Sequence, residues 1–202
     1  MRTVIFGATG RTGQLLVHQA LEAGHDVTAY ARNPAKLTIT HPRLSVVTGQ
    51  LDDDVAILAA VREADTVIEG VGSESAATRR IIAAMRATGV RRLVVVSTCS
   101  APDPDDQPDL KFSALVRFVK TVAPRPYAEV RAAAEAVRAS DLDWTLVRVA
   151  KLTDKPATGR IMVGNYGQGV VGLSISRADL AAFLLAQVSD VSYLRRAPAI
   201  SN

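Results

Sequence analysis

The chain has 202 residues, a formal net charge of +4 and a sequence pI near 9.5, and 48% of its residues are hydrophobic. This length and composition predict a single soluble domain over residues 1–202, and the apolar runs are too short to cross a membrane. The basic residues are scattered and only 4% of residues are aromatic, which argues against nucleic acid; a preference for anionic small molecules explains the charge equally well. The single cysteine, Cys99, excludes an internal disulfide, and we expect a cytoplasmic protein without a signal peptide.

The chain opens with an apolar strand, residues 2–6, that runs directly into a glycine turn. A helix-compatible segment follows from Gln14, with an apolar stripe on one side. The G-x-x-G-x-x-G spacing between a strand and a helix is typical of a dinucleotide-binding turn, because missing side chains let the backbone approach a pyrophosphate that the helix amides face. The cofactor contacts predicted from this turn are Gly7, Thr9, Gly10, Arg11, Thr12 and Gly13.

The second predicted strand, residues 25–31, ends in Arg32. In a dinucleotide-binding fold, an acidic residue at this strand end accepts hydrogen bonds from a free ribose 2′-hydroxyl, whereas a basic residue accommodates a 2′-phosphate. With Lys36 and Arg11 expected nearby and no carboxylate present, Arg32 favours NADP(H) over NAD(H). The alternative is that Arg32 and Lys36 are solvated residues at the start of a helix.

Two later predicted strands, residues 44–48 and 66–68, end in loops that are predicted to line the same cofactor. The first loop could reach the adenine, and the second contains glycines that let the backbone approach the cofactor closely. The contacts predicted from the two loops are Gln50, Leu51, Gly70, Val71 and Gly72.

Strands and helices alternate through most of the chain. Residues 93–96 form a nearly continuous apolar run, typical of a central parallel strand that is covered on both faces. Five strands with intervening helices by residue 97 predict an α/β fold with a doubly wound, mostly parallel sheet and helices on both faces, the Rossmann fold. A sixth strand is predicted at 144–148, and residues 150–175 are predicted to form a small loop-and-strand segment on the substrate side.

An acidic, proline-rich loop at residues 101–107 interrupts this alternation at the carboxyl edge of the sheet. Its aspartates are predicted to be solvated surface. The helix after the loop is predicted to turn four apolar side chains inward: Leu115, Phe118, Val119 and Val122.

Taken together, these segments resemble the atypical short-chain dehydrogenases/reductases, of the NmrA-like kind with one compact NAD(P)-binding domain. The resemblance covers almost the full length of the chain. It rests on residues 7–13, 31–34, 88–98, 142–148 and 176–181. Within that group, the loop 151–159 is most similar to the biliverdin-IXβ reductase/flavin reductase branch. The same scaffold hosts epimerases and non-catalytic cofactor sensors, so the resemblance leaves the substrate open.

Candidates for chemistry lie at or near the ends of strands five and six, where a nicotinamide would be held. Thr98, with Ser97 beside it, resembles the position of the active-site hydroxyl of this superfamily; the alternative is a strand-end cap. Tyr127 and Arg131 have the Y-x-x-x-K spacing with arginine replacing lysine, and they share a helix face on which the cation could stabilise the phenolate and contact the ribose. Lys151 resembles in place the histidine of the biliverdin-IXβ branch and could pair with an anionic substrate; the alternative is an exposed loop lysine.

We therefore expect an NADPH-dependent oxidoreductase that transfers hydride to a flavin, a quinone or a related conjugated carbonyl compound, because such acceptors need little acid–base machinery. Two alternatives stay open: a non-catalytic NADP(H)-binding redox sensor, and a Tyr127-dependent carbonyl reductase or epimerase. We predict no metal site, since one cysteine and no histidine–carboxylate cluster provide no candidate ligands. The expected partner is a small-molecule acceptor, with no nucleic acid and no membrane, and the protein is expected to be a monomer or homodimer.

Overall fold

The computed structural model describes residues 1–72 and 74–202, and over these residues a twisted sheet carries helices on both faces. The described strands are β1 (Arg2–Phe6), β2 (Asp26–Ala31), β3 (Leu44–Thr48), β4 (Thr66–Glu69), β5 (Arg92–Thr98), β6 (Asp143–Val149), β7 (Leu152–Thr153), β8 (Met162–Gly164), β9 (Ile175–Ser176) and β10 (Ala199–Ser201). The described helices are α1 (Arg11–Glu22), α2 (Asp54–Val61), α3 (Ser75–Thr88), α4 (Leu110–Val122), α5 (Pro124–Arg138) and α6 (Arg177–Ala186). None of these helices combines the length and the apolarity needed to cross a membrane.

The main sheet has the strand order β3-β2-β1-β4-β5-β6-β10-β8 within the described residues. Its strands run parallel except β8, which pairs antiparallel with β10 at the edge. The doubly wound, mostly parallel α/β sheet predicted from the sequence is therefore confirmed. The register pairs Phe6 at the end of β1 with Tyr30 on one side and Glu69 on the other, so the carboxyl ends of three strands meet at one edge.

Two apolar cores lie on opposite faces of this sheet. Helices α2, α3 and α5 cover one face, and α1 and α6 pack together on the other. Side chains alternate along β5, so Leu93 and Val95 belong to the first core while Val94 and Val96 belong to the second. The end of β5 therefore presents side chains to both faces of the sheet.

Helix α4 packs differently from the sequence prediction. The side chains of Phe118 and Val122 are 63% and 60% exposed, and Phe112 is the buried residue of the helix. Phe112 packs on Tyr166 with ring centroids 4.2 Å apart, and α4 otherwise contacts α5. The prediction that Phe118 and Val122 point inward is therefore wrong, because α4 packs on a loop and a helix instead of lying flat on the sheet.

The acidic loop before α4 is held by a buried ion pair. Arg148 on β6 is fully buried, and its Nη1 and Nη2 donate to the two carboxylate oxygens of Asp106 at 2.5 and 2.9 Å. The Arg148 Nε donates to the carbonyl of Ala197 at 2.7 Å, and the backbone amide of Tyr166 donates to Asp106 at 3.1 Å. A buried arginine is strongly unfavourable without such partners. The prediction of a simply solvated loop is therefore wrong at Asp106, which anchors the loop to β6.

The loop that follows β7 is anchored by Asp179 in the first turn of α6. The Asp179 carboxylate accepts hydrogen bonds from the amides of Thr158 and Gly159 at 2.9 and 3.0 Å and from the Ser176 hydroxyl at 2.8 Å, and the Asn202 side chain also donates to it. Burial alone raises the pKa of Asp179, but the hydrogen bonds outweigh it and leave that pKa below its ordinary value. The loop is thereby fixed beside the start of α6.

Candidate functional site

The glycine turn between β1 and α1 has a geometry that requires glycine. Gly7 has a φ of +82°, and a Cβ at Gly13 would lie 2.1 Å from the carbonyl oxygen of Gly7. Gly10 is the N-cap of α1 without a side-chain cap, and the first turn of the helix contains no acidic residue. The first amides of α1 therefore lack an intrahelical acceptor, and the positive end of the helix dipole is available to an anion. These residues fit the pyrophosphate of a dinucleotide.

A cavity of about 260 Å³ lies beside this turn and is called here the dinucleotide cavity. Six of the predicted cofactor residues line it: Gly7, Gly10, Arg11, Thr12, Gly13 and Gly70. The nine other lining residues were not predicted as cofactor contacts, and they include Val96, Leu152, Arg177 and Leu180. Val96 and Leu180 are apolar residues of a strand and a helix, so the sequence indicates only that they are buried. Leu152 directly follows Lys151, which the sequence analysis proposed as a site residue.

The other predicted cofactor residues lie outside the lining of this cavity: Thr9, Arg32, Gln50, Leu51, Val71, Gly72, Ser97 and Arg131. Several of them are fixed by the fold. The Gln50 carbonyl accepts from the Tyr30 hydroxyl at 2.6 Å, and burial together with Asp53 and Asp52 raises the pKa of Tyr30 to about 12, so that hydroxyl remains a donor. A Cβ on Gly72 would lie 2.0 Å from the Val96 carbonyl oxygen, which shows that the loop after β4 packs directly on β5. Their contacts with a cofactor stay predictions.

The cations near the turn have different surroundings. Arg11 forms an ion pair with Asp154, and Arg177 donates to the same carboxylate at 3.0 Å and to the Thr12 hydroxyl at 3.4 Å. Asp154 thus joins the loop after β7 to the glycine turn. Arg32 is exposed at the end of β2 and takes part in none of the ion pairs found among residues 1–72 and 74–202.

The structure places the predicted catalytic residues Thr98 and Lys151 outside the dinucleotide cavity. The Thr98 Oγ1 accepts a hydrogen bond from the amide of Ser100 at 3.1 Å, which is the strand-end cap considered as the alternative. The Ser97 hydroxyl is buried and finds no hydrogen-bond partner within the described part of the chain. Lys151 is exposed and lines neither the dinucleotide cavity nor the cavity beside Tyr127. The catalytic roles of Thr98 and Lys151 stay predictions.

Tyr127 and Arg131 meet on α5 as their spacing predicts. The Arg131 Nη1 donates to the Tyr127 hydroxyl at 3.1 Å, and the guanidinium carbon lies 5.8 Å from the centre of the tyrosine ring. The Lys120 Nζ lies 6.0 Å from the same ring centre. This hydrogen bond to Tyr127 raises the pKa of Arg131 above its ordinary value. Two cationic side chains, Arg131 and Lys120, therefore lie close to the phenol of Tyr127.

Tyr127 and Arg131 line a second cavity of about 560 Å³, called here the aromatic cavity. Its walls include two aromatic rings that pack on each other, and a basic stretch of α4. The lining residues that the sequence analysis did not connect with a site include Phe112, Arg117, Lys120 and Tyr166. They lie on α4 and on a loop some 50 residues later, so only the fold brings them together.

The two cavities lie on either side of the end of β5. Val96 lines the dinucleotide cavity, whereas Cys99 and Ser100, a few residues further on, line the aromatic cavity. A further cavity of about 480 Å³ lies beside Trp144 and Arg195, but none of its described lining residues belongs to the glycine turn or to the end of β5. The pair of cavities at β5 is therefore the arrangement that could hold a dinucleotide and a second molecule next to each other.

A buried carboxyl group lies at the end of β4, directly before the loop that contains Gly70. Glu69 is fully buried, and its Oε1 accepts from the Thr78 hydroxyl at 2.6 Å, while its Oε2 has no partner among the described residues. Burial raises the pKa of Glu69 to about 7, and the nearby Glu74 also raises it, although the Thr78 hydrogen bond acts in the opposite direction. Glu69 therefore keeps its proton to a higher pH than an exposed glutamate does.

Comparisons with known proteins match this architecture. A family model described as NAD(P)H-binding matches residues 7–191. A (4-alkanoyl-5-oxo-2,5-dihydrofuran-3-yl)methyl phosphate reductase from Streptomyces griseus is 27% identical, over 98% of this chain and 67% of its own length. A 2-alkyl-3-oxoalkanoate reductase from Stenotrophomonas maltophilia is 29% identical, over 91% of this chain and 64% of its own. Among solved structures, a short-chain dehydrogenase/reductase from Veillonella parvula in complex with NADP has a TM-score of 0.85 at 22% identity, over 100% of this chain and 94% of that one.

Proposed function

This chain belongs to the NAD(P)H-binding family, and from that premise we propose that it is an NADPH-dependent reductase whose acceptor is a flavin, a quinone or a related conjugated carbonyl compound. The observation that carries the proposal is the pair of cavities on the two sides of the β5 end, one beside an uncapped glycine turn and one walled by aromatic rings. Relatives that are reductases by name support the reductive chemistry. The placement in the biliverdin-IXβ reductase/flavin reductase branch is part of this proposal.

The reaction requires little acid–base chemistry from the protein. When bound, NADPH would supply a hydride, and the acceptor would take up that hydride and one proton from water, which leaves NADP⁺ and the reduced acceptor. The amides of the glycine turn would hold the pyrophosphate, and Arg32 would accommodate the 2′-phosphate. Phe112 and Tyr166 line the aromatic cavity and would give a conjugated ring an apolar wall to pack against.

The coenzyme preference is tested at Arg32. Arg32→Glu should weaken NADPH binding about tenfold or more, because a charge-assisted contact is replaced by repulsion, and should change NADH binding far less. Fluorescence titration of each coenzyme gives both constants, and Arg62→Gln, at the end of α2, serves as a surface control. Equal losses for NADPH and NADH would refute the role of Arg32.

The reductase activity itself is tested by following NADPH oxidation with FMN, riboflavin and naphthoquinones. We expect turnover with at least one of these acceptors. Tight NADPH binding without oxidation by any of them would contradict the proposal and favour the redox-sensor alternative, particularly if binding changed the oligomeric state.

A second candidate function is a Tyr127-dependent carbonyl reductase or epimerase, and the 3.1 Å hydrogen bond between Tyr127 and Arg131 favours it. Tyr127→Phe keeps the ring and removes the hydroxyl. If Tyr127 donates a proton in the reaction, the rate should fall about 100-fold or more, whereas reduction of a flavin or quinone should change little. Measuring the variant with a simple ketone and with FMN separates the two functions.

A further inference from the structure

We propose that the aromatic cavity selects acceptors that carry an acidic group, with a planar conjugated ring against Phe112 and Tyr166 and a phosphate, sulfonate or carboxylate at Arg117, Lys120 and Arg131. This inference rests on the proposed function, since it names the acceptor class of the same site. The sequence alone does not connect these ring and rim residues with a site. The proposal is based on their contacts in the fold.

The charge balance of the cavity favours an anion. Arg117 and Lys120, three residues apart, share one side of α4 and line the cavity together with Arg131. Neither Arg117 nor Lys120 takes part in an ion pair within residues 1–72 and 74–202, and the contact of Arg131 with Glu135 is long, at 3.9 Å, and exposed. These cations are therefore available to a ligand.

The two carboxylates that line the cavity do not neutralise these cations. Asp106 is occupied by the buried Arg148, at 2.5 and 2.9 Å. Asp109 caps α4, because its carboxylate accepts from the amides of Lys111 and Phe112 at 2.8 and 3.0 Å. The charge of Asp106 is thus offset by Arg148, whereas Asp109 keeps its charge, so one carboxylate stands against the three cations and the rim remains net positive.

The pyrophosphate of the cofactor does not account for this positive charge. The rim cations lie on α4 and α5, whereas the glycine turn and its cavity lie on the other side of the β5 end, against α1 and α6. A pyrophosphate at the turn is therefore held by a different set of groups. Arg117 and Lys120 therefore remain for whatever occupies the aromatic cavity, and Arg131 can serve it as well as the predicted ribose contact.

Tyr166 contributes to the aromatic wall of the cavity. It is 4% exposed, its ring lies 4.2 Å from that of Phe112, and the Arg148 guanidinium lies 5.0 Å from its ring centre. Its hydroxyl is buried and finds no hydrogen-bond partner among the described residues. Burial raises the pKa of Tyr166, so the hydroxyl remains a donor. Since this hydroxyl exposes almost no surface, a ligand in the cavity would contact the ring of Tyr166 and not its hydroxyl.

The size of the cavity is adequate for such a molecule. At about 560 Å³ it lies within the range that holds drug-sized ligands, with apolar walls and a few charged groups at fixed positions. A flavin mononucleotide has the required combination of a planar ring and a phosphate. Riboflavin has the same ring without the phosphate, so the two form a matched pair of probes.

The test is equilibrium binding of FMN and riboflavin without NADPH, followed by flavin fluorescence. We expect FMN to bind about tenfold more tightly than riboflavin, and the same preference for 1,4-naphthoquinone-2-sulfonate over 1,4-naphthoquinone, measured by competition with FMN. Arg117→Gln and Lys120→Gln should each reduce the FMN preference about threefold and leave riboflavin binding within twofold. Arg62→Gln removes the same charge at the end of α2 and should leave the preference unchanged.

Tyr166→Phe is a second control, because the hydroxyl that it removes exposes almost no surface to a ligand. It should leave the affinities for FMN and riboflavin unchanged, and with them the preference for the acidic member. Equal affinity within both probe pairs, or no binding of any of the four probes, would overturn the proposal. A protein that discriminates within the pairs but does not oxidise NADPH refutes the reductase function alone, whereas NADPH oxidation with equal KM for FMN and riboflavin refutes the acceptor selection alone.

Discussion

Glu69→Gln should remove a pH dependence of stability that the unmodified protein shows between weakly acidic and weakly alkaline pH. The Glu69 carboxyl is fully buried, and its pKa is raised from 4.5 to about 7. The folded state therefore holds the proton more tightly than the unfolded chain. The resulting stabilisation is fully present at a pH below the pKa of Glu69 in the unfolded chain, and it is lost as the pH rises through the pKa of Glu69 in the folded protein. It amounts to up to about 3 kcal/mol.

Glutamine is a close mimic of the protonated carboxyl, and its carbonyl oxygen can still accept from the Thr78 hydroxyl. Urea unfolding followed by the fluorescence of Trp144, the single tryptophan, gives the free energy of unfolding at each pH. At about pH 5 the two proteins should agree within about 1 kcal/mol, and at about pH 8 the variant should be more stable by about 2–3 kcal/mol. Comparing the two proteins cancels the titration of every other group.

Glu63→Gln, at an exposed side chain, is the matched control and should give a small difference that does not vary with pH. A difference between the unmodified protein and Glu69→Gln that stays constant from about pH 5 to about pH 8 would refute the assignment of the raised pKa to Glu69.

Three further predictions concern the turn and the two anchors. Gly13→Ala should cost about 1–3 kcal/mol of stability and weaken NADPH binding at least about tenfold in fluorescence titration, because the new methyl group would meet the carbonyl of Gly7; unchanged binding would contradict this. Asp106→Asn should destabilise the protein by about 3–5 kcal/mol in urea unfolding, since it leaves Arg148 buried without a counter-charge, and a loss below about 1 kcal/mol would count against it. Asp179→Asn should cost about 1–3 kcal/mol and speed proteolysis of the loop after β7, because the amide cannot accept from all the present donors; equal cleavage rates would refute the anchoring role.

The parts of the fold that could be predicted from sequence are those set by neighbouring residues. A buried strand followed by the glycine turn is a local pattern, and it located β1 and the start of α1 to within one helical turn, since Gly13 lies inside the helix that was expected to begin at Gln14. The contact between Tyr127 and Arg131 follows from their i, i+4 spacing on one helix. Both inferences need no knowledge of the rest of the chain.

The parts that could not be predicted depend on partners distant in sequence. Arg148 and Asp106 are 42 residues apart in the sequence. The acidic composition of the loop predicts exposed aspartates and gives no sign that one of them pairs with a buried arginine. The apolar periodicity of α4 indicates a helix with one apolar side but not what that side faces, and here Phe118 faces solvent. The wall of the aromatic cavity was missed for the same reason, because Tyr166 reaches Phe112 only through the tertiary fold.

The bond between Arg148 and Asp106 has a consequence for engineering this scaffold. Residues 101–109 form one side of the aromatic cavity, and their position depends on a guanidinium that projects from β6 and also contacts Asn165. If a loop from a relative were grafted without a carboxylate at position 106, Arg148 would remain buried without a counter-charge. To change the substrate specificity, the loop, Arg148 and the segment at 165–166 should therefore be exchanged together. Combinatorial libraries that vary only the loop should keep Asp106.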